Sequence, residues 1–593
     1  MMMESAANRC ARIVVESPPI ITACADIGAD IQMQDFLPAA ILGILALGAG
    51  FSAARPDSAR ALAPAACESL TSITLANGRI TSVSVLPAGG FTPPESNATT
   101  SNQAYISVPA FCRVTATLTP TTDSDIKIEV WMPVANWNQK LQAVGNGGWA
   151  GTISYPAMAA ALGRGYATAG TDTGHSTPGA SFAMNHPEKL IDYGHRAVHE
   201  MTVQAKVIVA AFYGGGPQLS LWNGCSTGGR QGVIEASKYP TDYDAIIAGA
   251  TPVTSPRLHG VRLQFNRMVH RAPGSYIPPE KYPAIHDAAL NACDALDGVK
   301  DGVIDQPDRC SFDPGTLLCK GDDSPACLTS LQVETARAMY SPVKDPKSGA
   351  TLSFPMLHPG SELSWATLAG PQPYAIAAEA YRYVVFHDPA WDPASFNPST
   401  DIQRLERQAA GFDPPSANLK PFFSRGGKLL LYHGWSDQQV APLNSTTYFD
   451  AVVKESGQDT AGKSIALYLV PGMGHCQGGA GTDTFDKVAA MEEWIRTGSA
   501  PVRIISSHRT AGATDRTRPL CQYPQVAKYM GSGSTDDAAN FVCAAGRGDQ
   551  RRVIVDGAWQ QRSPNRPCVR VSRFRPPPLR PRPQDAPHRR RPD

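Results

Sequence analysis

The stretch QLSLWNGCSTGGRQGVIEASKYP, residues 218–240, decides the fold. It begins as a short apolar strand, turns through Gly-Cys-Ser-Thr-Gly at residues 224–228, and continues as a helix to about Tyr239. This order is the setting of a nucleophile elbow, in which a tight turn lifts a serine hydroxyl above a sheet at a helix N-terminus. A GxSxG pattern alone is common in ordinary loops, but with this strand and helix around it we predict that Ser226 is a catalytic nucleophile.

A serine nucleophile needs a general base and a carboxylate that orients the base, and in α/β-hydrolases the order along the chain is Ser, acid, His. Two later apolar runs end in such side chains: GKLLLYHGWSDQ contains Asp437, and SIALYLVPGMGH ends in His475. The alternatives are a turn aspartate and a structural histidine. Because ligands bind at the carboxyl ends of parallel strands, the order and strand context favour Asp437 and His475 as partners of Ser226.

Two cysteines flank this predicted triad. Cys225 precedes Ser226 and Cys476 follows His475. If the hydroxyl and the imidazole lie within hydrogen-bond reach, their neighbours fall within the Cα range of a disulfide, about 4.4–6.8 Å. Such a bridge would tie the nucleophile loop to the base loop. The alternative is a pair of independent buried thiols.

Composition sets the class of protein. The chain has 593 residues, 42% of them hydrophobic, with 53 basic and 52 acidic side chains, which excludes a fibrous, coiled-coil or polytopic membrane protein. The near-zero net charge gives no argument for a nucleic-acid partner. None of the 13 cysteines has zinc-site spacing, so we predict disulfides made in an oxidising compartment, in a secreted or periplasmic protein.

The two ends of the chain differ from the rest. Phe36–Phe51 is an apolar run with the length of a signal-peptide core, so residues 1–66 are predicted to be a leader, with Met33 as an alternative start and no stable membrane insertion after signal removal. The alternative is a retained N-terminal anchor. Residues 546–593 are rich in Arg and Pro and are predicted to be disordered. A basic arm for polyanions is one interpretation of this tail, and a non-functional extension is the favoured one.

A long segment separates the nucleophile from the acid. Ser226 and Asp437 are 211 residues apart, about twice what the intervening strands and helices need, so residues 253–418 are predicted to be an inserted lid. Within it, CDALDGVKDGVIDQPDRC places hard oxygen ligands of the kind calcium prefers in a glycine-containing loop. These ligands are Asp294, Asp297, Asp301 and Asp305. The alternative is a solvated acidic turn closed by a Cys293–Cys310 bridge.

These motifs resemble the tannase and feruloyl esterase family of serine esterases. The resemblance runs from about Cys67 to Ala545 and rests on the following segments: GCSTGGRQG, HGWSDQQV, PGMGHCQGG, WNQKLQAVGNGGWAG, ATAGTDTGH and YPTDYDAIIAGA. It implies an α/β fold for residues 67–545, with an α/β-hydrolase core and a large inserted lid domain. It also implies a carboxylic ester hydrolase that acts on esters of aromatic acids.

The resemblance also implies roles for single residues. Ser226 is the expected nucleophile, His475 the base and Asp437 its orienting acid. The oxyanion hole is expected to comprise the backbone N–H of Thr227 and one from Gly147 or Gly148. A structural calcium ion is the only implied cofactor, and none takes part in the chemistry. Its implied ligands are the side chains of Asp294, Asp297 and Asp301 and the carbonyls of Val299 and Val303.

By the same resemblance three further disulfides are expected, which are Cys67–Cys112, Cys319–Cys327 and Cys521–Cys543. Three cysteines are then left over in the terminal regions, namely Cys10, Cys24 and Cys568. Aromatic residues of the inserted segment are candidates for the acyl pocket, although each is more often a core residue. They are Trp365, Tyr381 and Trp391.

The leading functional hypothesis is a secreted esterase that acts on small feruloyl- or galloyl-type esters, including esters attached to plant polysaccharide or tannin. One alternative is a hydrolase of other aryl esters, such as phthalate or terephthalate half-esters. Another is a carbohydrate- or phenolic-binding protein built on an inactive hydrolase. The intact set of Ser226, Asp437 and His475 argues against that last alternative.

Overall fold

The computed structural model describes residues 65–94, 103–149, 151–409, 411–412 and 414–546. The signal-like run, nearly all of the predicted leader, and the Arg/Pro-rich tail beyond residue 546 lie outside the described residues. So do the three left-over cysteines. Of the helices that the structure describes, none combines the length and apolar character needed to cross a membrane.

The strands and helices occupy the following residues. The strands are β1 (Gly78–Leu86), β2 (Phe111–Leu118), β3 (Ile126–Pro133), β4 (Lys140–Val144), β5 (Ala167–Thr171), β6 (Leu219–Cys225), β7 (Ala245–Gly249), β8 (Pro342–Lys344), β9 (Thr351–Pro355), β10 (Lys428–Gly434), β11 (Ile465–Val470), β12 (Thr484–Phe485), β13 (Arg503–Thr510), β14 (Ala513–Cys521), β15 (Gln525–Tyr529) and β16 (Phe541–Ala545). The α-helices are α1 (Gln103–Ile106), α2 (Tyr155–Gly163), α3 (Pro187–Ile191), α4 (Ala197–Tyr213), α5 (Thr227–Lys238), α6 (Arg257–Val269), α7 (Tyr282–Cys293), α8 (Ser330–Met339), α9 (Ala366–Ala369), α10 (Ala375–Glu379), α11 (Pro398–Gln408), α12 (Lys420–Ser424), α13 (Leu443–Ser456), α14 (Gln458–Ser464) and α15 (Lys487–Thr497).

A mixed sheet of nine strands organises the part of the chain that the structure describes. Its strand order is β1-β2-β3-β5-β4-β6-β7-β10-β11. The pairs from β1 to β5 are antiparallel, and every pair from β5 to β11 is parallel. Parallel strands read as apolar runs because both of their faces are covered, and β7 and β11 fit this rule with AIIAG and IALYLV. The α/β class predicted from the sequence is confirmed.

Helices cover both faces of this sheet. On one face, α4, α5 and α13 contribute Ile208, Val233 and Val452 to the core. On the other face, α2 and α15 pack against β6, β7, β10 and β11, with Met491 and Trp494 among the buried residues. This three-layer arrangement leaves the loops at the carboxyl ends of the parallel strands as the place where side chains can meet a ligand.

Residues 250–427 separate β7 from β10, although these two strands are neighbours in the sheet. This inserted segment is mainly helical, from α6 to α12, and its strands among the described residues are the hairpin β8–β9. Trp365, Tyr381 and Trp391, the candidate pocket residues, are buried in two hydrophobic clusters, one of which also includes Trp149 and Tyr193 from outside the insertion. Their burial makes them core residues of the insertion rather than the lining of a cleft.

Strands β13 to β16 follow the main sheet and were not foreseen from the sequence. β12, β13 and β14 form a three-stranded sheet, and β15 pairs with β16 as a hairpin. The arginines of β14 alternate with smaller residues, and Arg516 and Arg518 reach the acidic loop near Asp301.

Five disulfides cross-link the described part of the chain. They are Cys67–Cys112, Cys225–Cys476, Cys293–Cys310, Cys319–Cys327 and Cys521–Cys543, the pairs expected from the sequence.

Helix α5 packs so closely on the sheet that one of its glycines has no room for a side chain. A Cβ on Gly229 would lie 2.2 Å from the carbonyl oxygen of Gly249, whereas a Cβ on Gly163 in α2 meets nothing within 4 Å. We therefore expect Gly229→Ala to lower the free energy of unfolding by about 1–3 kcal/mol, because backbone must move. Thermal melting checks this, with Gly163→Ala as the control. Equal melting temperatures for the two variants would contradict it.

Candidate active site

Ser226 lies at the turn between β6 and α5 with an unusual backbone conformation. Its φ is +60° and its ψ is −124°, a region that costs a non-glycine residue about 1–3 kcal/mol. The turn is held because the Ser226 N–H donates to the Gly249 carbonyl at 2.9 Å. A Cβ on Gly224 would lie 2.5 Å from the Gly228 carbonyl oxygen, so this tight turn requires glycine. Such strain is characteristic of a nucleophile elbow.

Asp437 and His475 lie at the carboxyl ends of β10 and β11 and contact each other. The His475 Nδ1 is 2.8 Å from Asp437 Oδ2. The Asp437 carboxylate is buried, and its Oδ1 accepts the backbone N–H groups of Gln439 and Val440 at 2.7 and 2.9 Å. A carboxylate held in this way fixes the orientation and the tautomer of the imidazole, which is what a general base needs.

A second histidine, His433, contacts the same carboxylate. Its Nε2 lies 3.0 Å from Asp437 Oδ2 and 2.9 Å from the Val440 carbonyl, and its Nδ1 lies 2.8 Å from the Ser445 hydroxyl. Because Val440 offers only an acceptor, the tautomer that fits is the one with hydrogen on Nε2. The sequence analysis missed this residue, and the only available signal was its place at the end of a buried strand four residues before Asp437.

These contacts set the charge of Asp437. Burial by itself would raise the pKa of this carboxyl, but the positive charge of His475 and the hydrogen bonds from His433 and His475 lower the pKa well below its usual range. Asp437 is therefore ionised at neutral pH, and it can stabilise an imidazolium on His475 during a proton transfer.

The disulfide Cys225–Cys476 joins the serine loop to the histidine loop. The Cα atoms of the two cysteines are 6.1 Å apart. Since each cysteine is the direct sequence neighbour of Ser226 or His475, the bridge keeps these two residues on adjacent loops. The structure thus brings Ser226, Asp437 and His475 to one edge of the sheet.

The loop that carries Gly147 and Gly148 lies beside the first residue of α5. The Thr227 hydroxyl donates to the Gly148 carbonyl at 3.0 Å, and the Tyr193 hydroxyl donates to the same carbonyl at 2.5 Å. Within the described ranges, the backbone N–H groups of Thr227, Gly147 and Gly148 have no hydrogen-bond acceptor. Donors without an internal partner at a helix N-terminus can bind an oxyanion.

A narrow cleft opens beside Ser226. It is lined by Gly148, Trp149, Tyr193, Ser226, Thr227, Arg230, Pro252, Ser255, His259, Arg262, Tyr374, Ile376, Phe412, Gln439 and Val440. Residues of the inserted segment contribute to this cleft, and they are different from the aromatic residues named as candidates. No local sequence pattern distinguishes Tyr374 or Phe412 from a core residue.

The acidic loop of the inserted segment brings its carboxylates together with backbone donors. Asp294 accepts the N–H groups of Asp301 and Gly302 at 3.1 and 3.0 Å, and Asp297 accepts the Val299 N–H at 2.9 Å. Asp301 forms an ion pair with Arg518. Burial, helped by the neighbouring carboxylates, raises the pKa of Asp297 to about 6. Asp305 is half-buried here, and the desolvation of its carboxyl raises its pKa to about 8.

The donor set of this loop suits a hard cation. Carboxylates at three positions and the carbonyls of Val299 and Val303 offer oxygen atoms. Calcium binds six to eight oxygen ligands in flexible geometry. The turn is also closed by the Cys293–Cys310 disulfide, so both interpretations of the loop share that bridge.

In the described part of the chain, two groups have three ligand atoms within 4.8 Å of one another; neither lies in the acidic loop, and neither resembles a metal centre. In the first, Cys319 and Cys327 are joined as a disulfide beside Asp323 and offer no thiolate. The second combines His199, Glu235 and Asp242. Burial, with Asp242 nearby, raises the pKa of Glu235 well above its usual value. A proton on Glu235 therefore explains how the two acids lie side by side without a metal ion.

Known proteins are similar to this chain in sequence and in fold. The family described as tannase and feruloyl esterase matches residues 112–544. An uncharacterized esterase from Xanthomonas campestris is 37% identical over 536 residues, which cover 82% of this chain and 92% of that protein. A probable feruloyl esterase B-2 from Aspergillus terreus is 33% identical over 528 residues, which cover 85% of this chain and 98% of that protein.

Solved structures agree with the sequence matches. The crystal structure of feruloyl esterase B from Aspergillus oryzae superposes with a TM-score of 0.73 at 31% identity, and the match covers 81% of this chain and 99% of that one. With the family match over most of the described residues, this shows that the chain belongs to the tannase and feruloyl esterase family and is a carboxylic ester hydrolase.

Proposed function

We propose that this chain is a secreted serine esterase that hydrolyses esters of aromatic carboxylic acids of the feruloyl or galloyl type. The observation that carries the proposal is the 2.8 Å contact between His475 and the buried Asp437, on a loop that a disulfide joins to the neighbour of Ser226. The acyl class is supported by the relatives, among them a probable feruloyl esterase B-2 and a feruloyl esterase B from Aspergillus species.

The proposed mechanism is a two-step acyl transfer. His475 accepts the proton of the Ser226 hydroxyl as the oxygen attacks the ester carbonyl, and Asp437 stabilises the resulting imidazolium. The tetrahedral intermediate collapses with loss of the alcohol, which takes the proton from His475. A water molecule then attacks the acyl-enzyme by the same proton transfers, and the acid is released from Ser226.

Charge on the carbonyl oxygen develops in both steps. The backbone N–H of Thr227, at the positive end of α5, and the N–H of Gly147 or Gly148 are proposed to bind it. The Thr227–Gly148 hydrogen bond supports this role, because it holds the two loops together before substrate arrives. Preorganised donors of this kind are worth about 3–4 kcal/mol each in transition-state stabilisation.

Residues 253–418 are proposed to act as a lid that shapes the acyl side of the cleft. Secretion or periplasmic export is proposed from the five disulfides, since these persist in oxidising compartments. The enzyme for the assays below is therefore exported with its own leader, and its recovery outside the cytoplasm checks this part of the proposal.

Ser226→Ala should lower the rate of ester hydrolysis by about 10⁴-fold or more, because it removes the nucleophile. The assay measures release of ferulate and gallate from their esters and of terephthalate from a monoalkyl terephthalate. Ser237→Ala, on the same helix but outside the cleft, is the control and should keep the wild-type rate. Turnover that survives in Ser226→Ala would refute the nucleophile. Terephthalate release without ferulate or gallate release would favour the alternative substrate class.

His433→Leu should lower kcat by about 10- to 100-fold, because Asp437 loses a charge-assisted hydrogen bond and its orientation toward His475 relaxes. The change should fall on kcat more than on KM, since His433 does not line the cleft. His508→Leu, a substitution on β13 at the surface, is the matched control. A change in KM alone would argue against a positioning role.

A structural calcium ion is proposed in the acidic loop, with Asp294, Asp297, Asp301 and the carbonyls of Val299 and Val303 as ligands. When bound it would hold the lid and take no part in the chemistry. Calcium at 100 times its Kd should raise the free energy of unfolding by about 2.7 kcal/mol.

Melting curves in calcium and in EGTA measure this effect. Asp297→Asn should abolish the difference between the two curves, whereas Asp287→Asn, exposed on the preceding helix α7, should keep it. Identical curves for the wild-type protein in the two conditions would show that the loop is only an acidic turn.

A further inference from the structure

The cleft beside Ser226 contains a buried histidine that the proposed mechanism does not use. His259 is 4% exposed, and neither of its ring nitrogens has a hydrogen-bond partner among the described residues. Leaving a buried polar group unsatisfied costs about 1–3 kcal/mol. Two such atoms on one side chain that lines a substrate cleft indicate that a ligand supplies the missing partners.

The surroundings of His259 keep its ring neutral. Burial, together with the positive charges of Arg262 and Arg230, lowers the pKa of His259 well below its usual value. The imidazole therefore has one N–H donor and one bare nitrogen acceptor at neutral pH. Its ring stacks on Trp149 at 5.5 Å between centroids and on Phe412 at 6.0 Å, so its position is fixed by packing.

Arg262 lies one turn beyond His259 on α6, on the same side of the helix. Its Nε and Nη2 donate to the Gln439 carbonyl at 3.0 and 2.6 Å, and its guanidinium lies 5.0 Å from the centre of the Tyr374 ring. Across the described part of the chain, no group accepts a hydrogen bond from Nη1. Among the described residues, the cleft lining includes two arginines and no carboxylate, so it suits an oxygen atom of the ligand rather than a cation.

We propose that His259 and Arg262 form a subsite that binds a free hydroxyl group on the aromatic ring of the acyl moiety. The hydroxyl donates its hydrogen to the bare nitrogen of His259, and its oxygen accepts from the Arg262 guanidinium. This assignment rests on the proposed esterase function and specifies which aromatic acids the enzyme selects. A methyl ether or a carboxylate can accept from the N–H of His259, but neither can donate to the bare nitrogen, which therefore stays unpaired.

Paired substrates test the subsite directly. The methyl esters of 3- and 4-hydroxycinnamic acid are compared with the corresponding methoxycinnamates, and monomethyl terephthalate is the carboxylate probe. For the wild-type enzyme we expect kcat/KM for at least one hydroxy ester to exceed that of its methoxy partner by about 10- to 100-fold. Ratios below threefold for both pairs, or a preference for monomethyl terephthalate, would overturn the proposal.

Variants assign the preference to the two side chains. His259→Leu and Arg262→Met should bring the ratio close to one, and His259→Gln, whose amide keeps a donor and an acceptor, should retain part of it. His270→Leu and Arg267→Met carry the same changes at or just after the end of α6, outside the cleft, and should keep the wild-type ratio. An unchanged ratio in His259→Leu would assign the preference elsewhere.

A binding measurement separates this proposal from the proposed function. Calorimetry with Ser226→Ala compares hydroxycinnamate with methoxycinnamate as free acids and needs no turnover. Tighter binding of the hydroxy acid by about tenfold supports the subsite. It does so even if the wild-type enzyme hydrolyses none of the esters, because that lack of turnover would refute only the catalytic proposal. Equal binding of the two acids overturns the subsite.

Discussion

The disulfide between Cys225 and Cys476 is the constraint on which the geometry of the site depends. Cys225 is the last residue of β6, and Cys476 lies on the loop after β11. These two strands are three positions apart in the sheet, or about 14 Å at the usual strand spacing. The Cα atoms of the two cysteines are nevertheless only 6.1 Å apart. The loop after β11 must therefore reach back over the ends of β10 and β7. A covalent bond holds that loop closed, where hydrogen bonds alone would compete with water.

Asp437 connects the core to the inserted segment through the loop that follows it. Its Oδ1 is held by the N–H of Gln439, and the Gln439 carbonyl and side chain in turn accept hydrogen bonds from Arg262 and Tyr374 of the insertion. The same short loop thus orients the base and supports one wall of the cleft. Because Arg262 and Tyr374 of the insertion bind the same residue that holds the Asp437 carboxylate, the insertion is coupled directly to the proposed catalytic residues.

Sequence reasoning predicted the features that depend on local patterns. The turn around Ser226, the apolar strands before Asp437 and His475, and the cysteines beside them lie in short stretches whose periodicity is readable. It did not find His433 as a partner of Asp437, or His259 in the cleft. Both are histidines in apolar surroundings, where the usual interpretation is a satisfied core residue. Only the tertiary contacts show that the nitrogens of His259 have no partner.

The two halves of the site are consequently maintained by different forces. Glycine turns, a buried carboxylate and a covalent bridge fix the reacting groups, and these tolerate little change. The cleft wall is held by ring stacking on His259 and by the bonds of Arg262 to Gln439. His259 has no hydrogen bond to the loop that follows Asp437, whereas Arg262 has two, both to the Gln439 carbonyl. Replacing the histidine therefore changes what the cleft recognises, while replacing the arginine also disturbs the loop that orients His475.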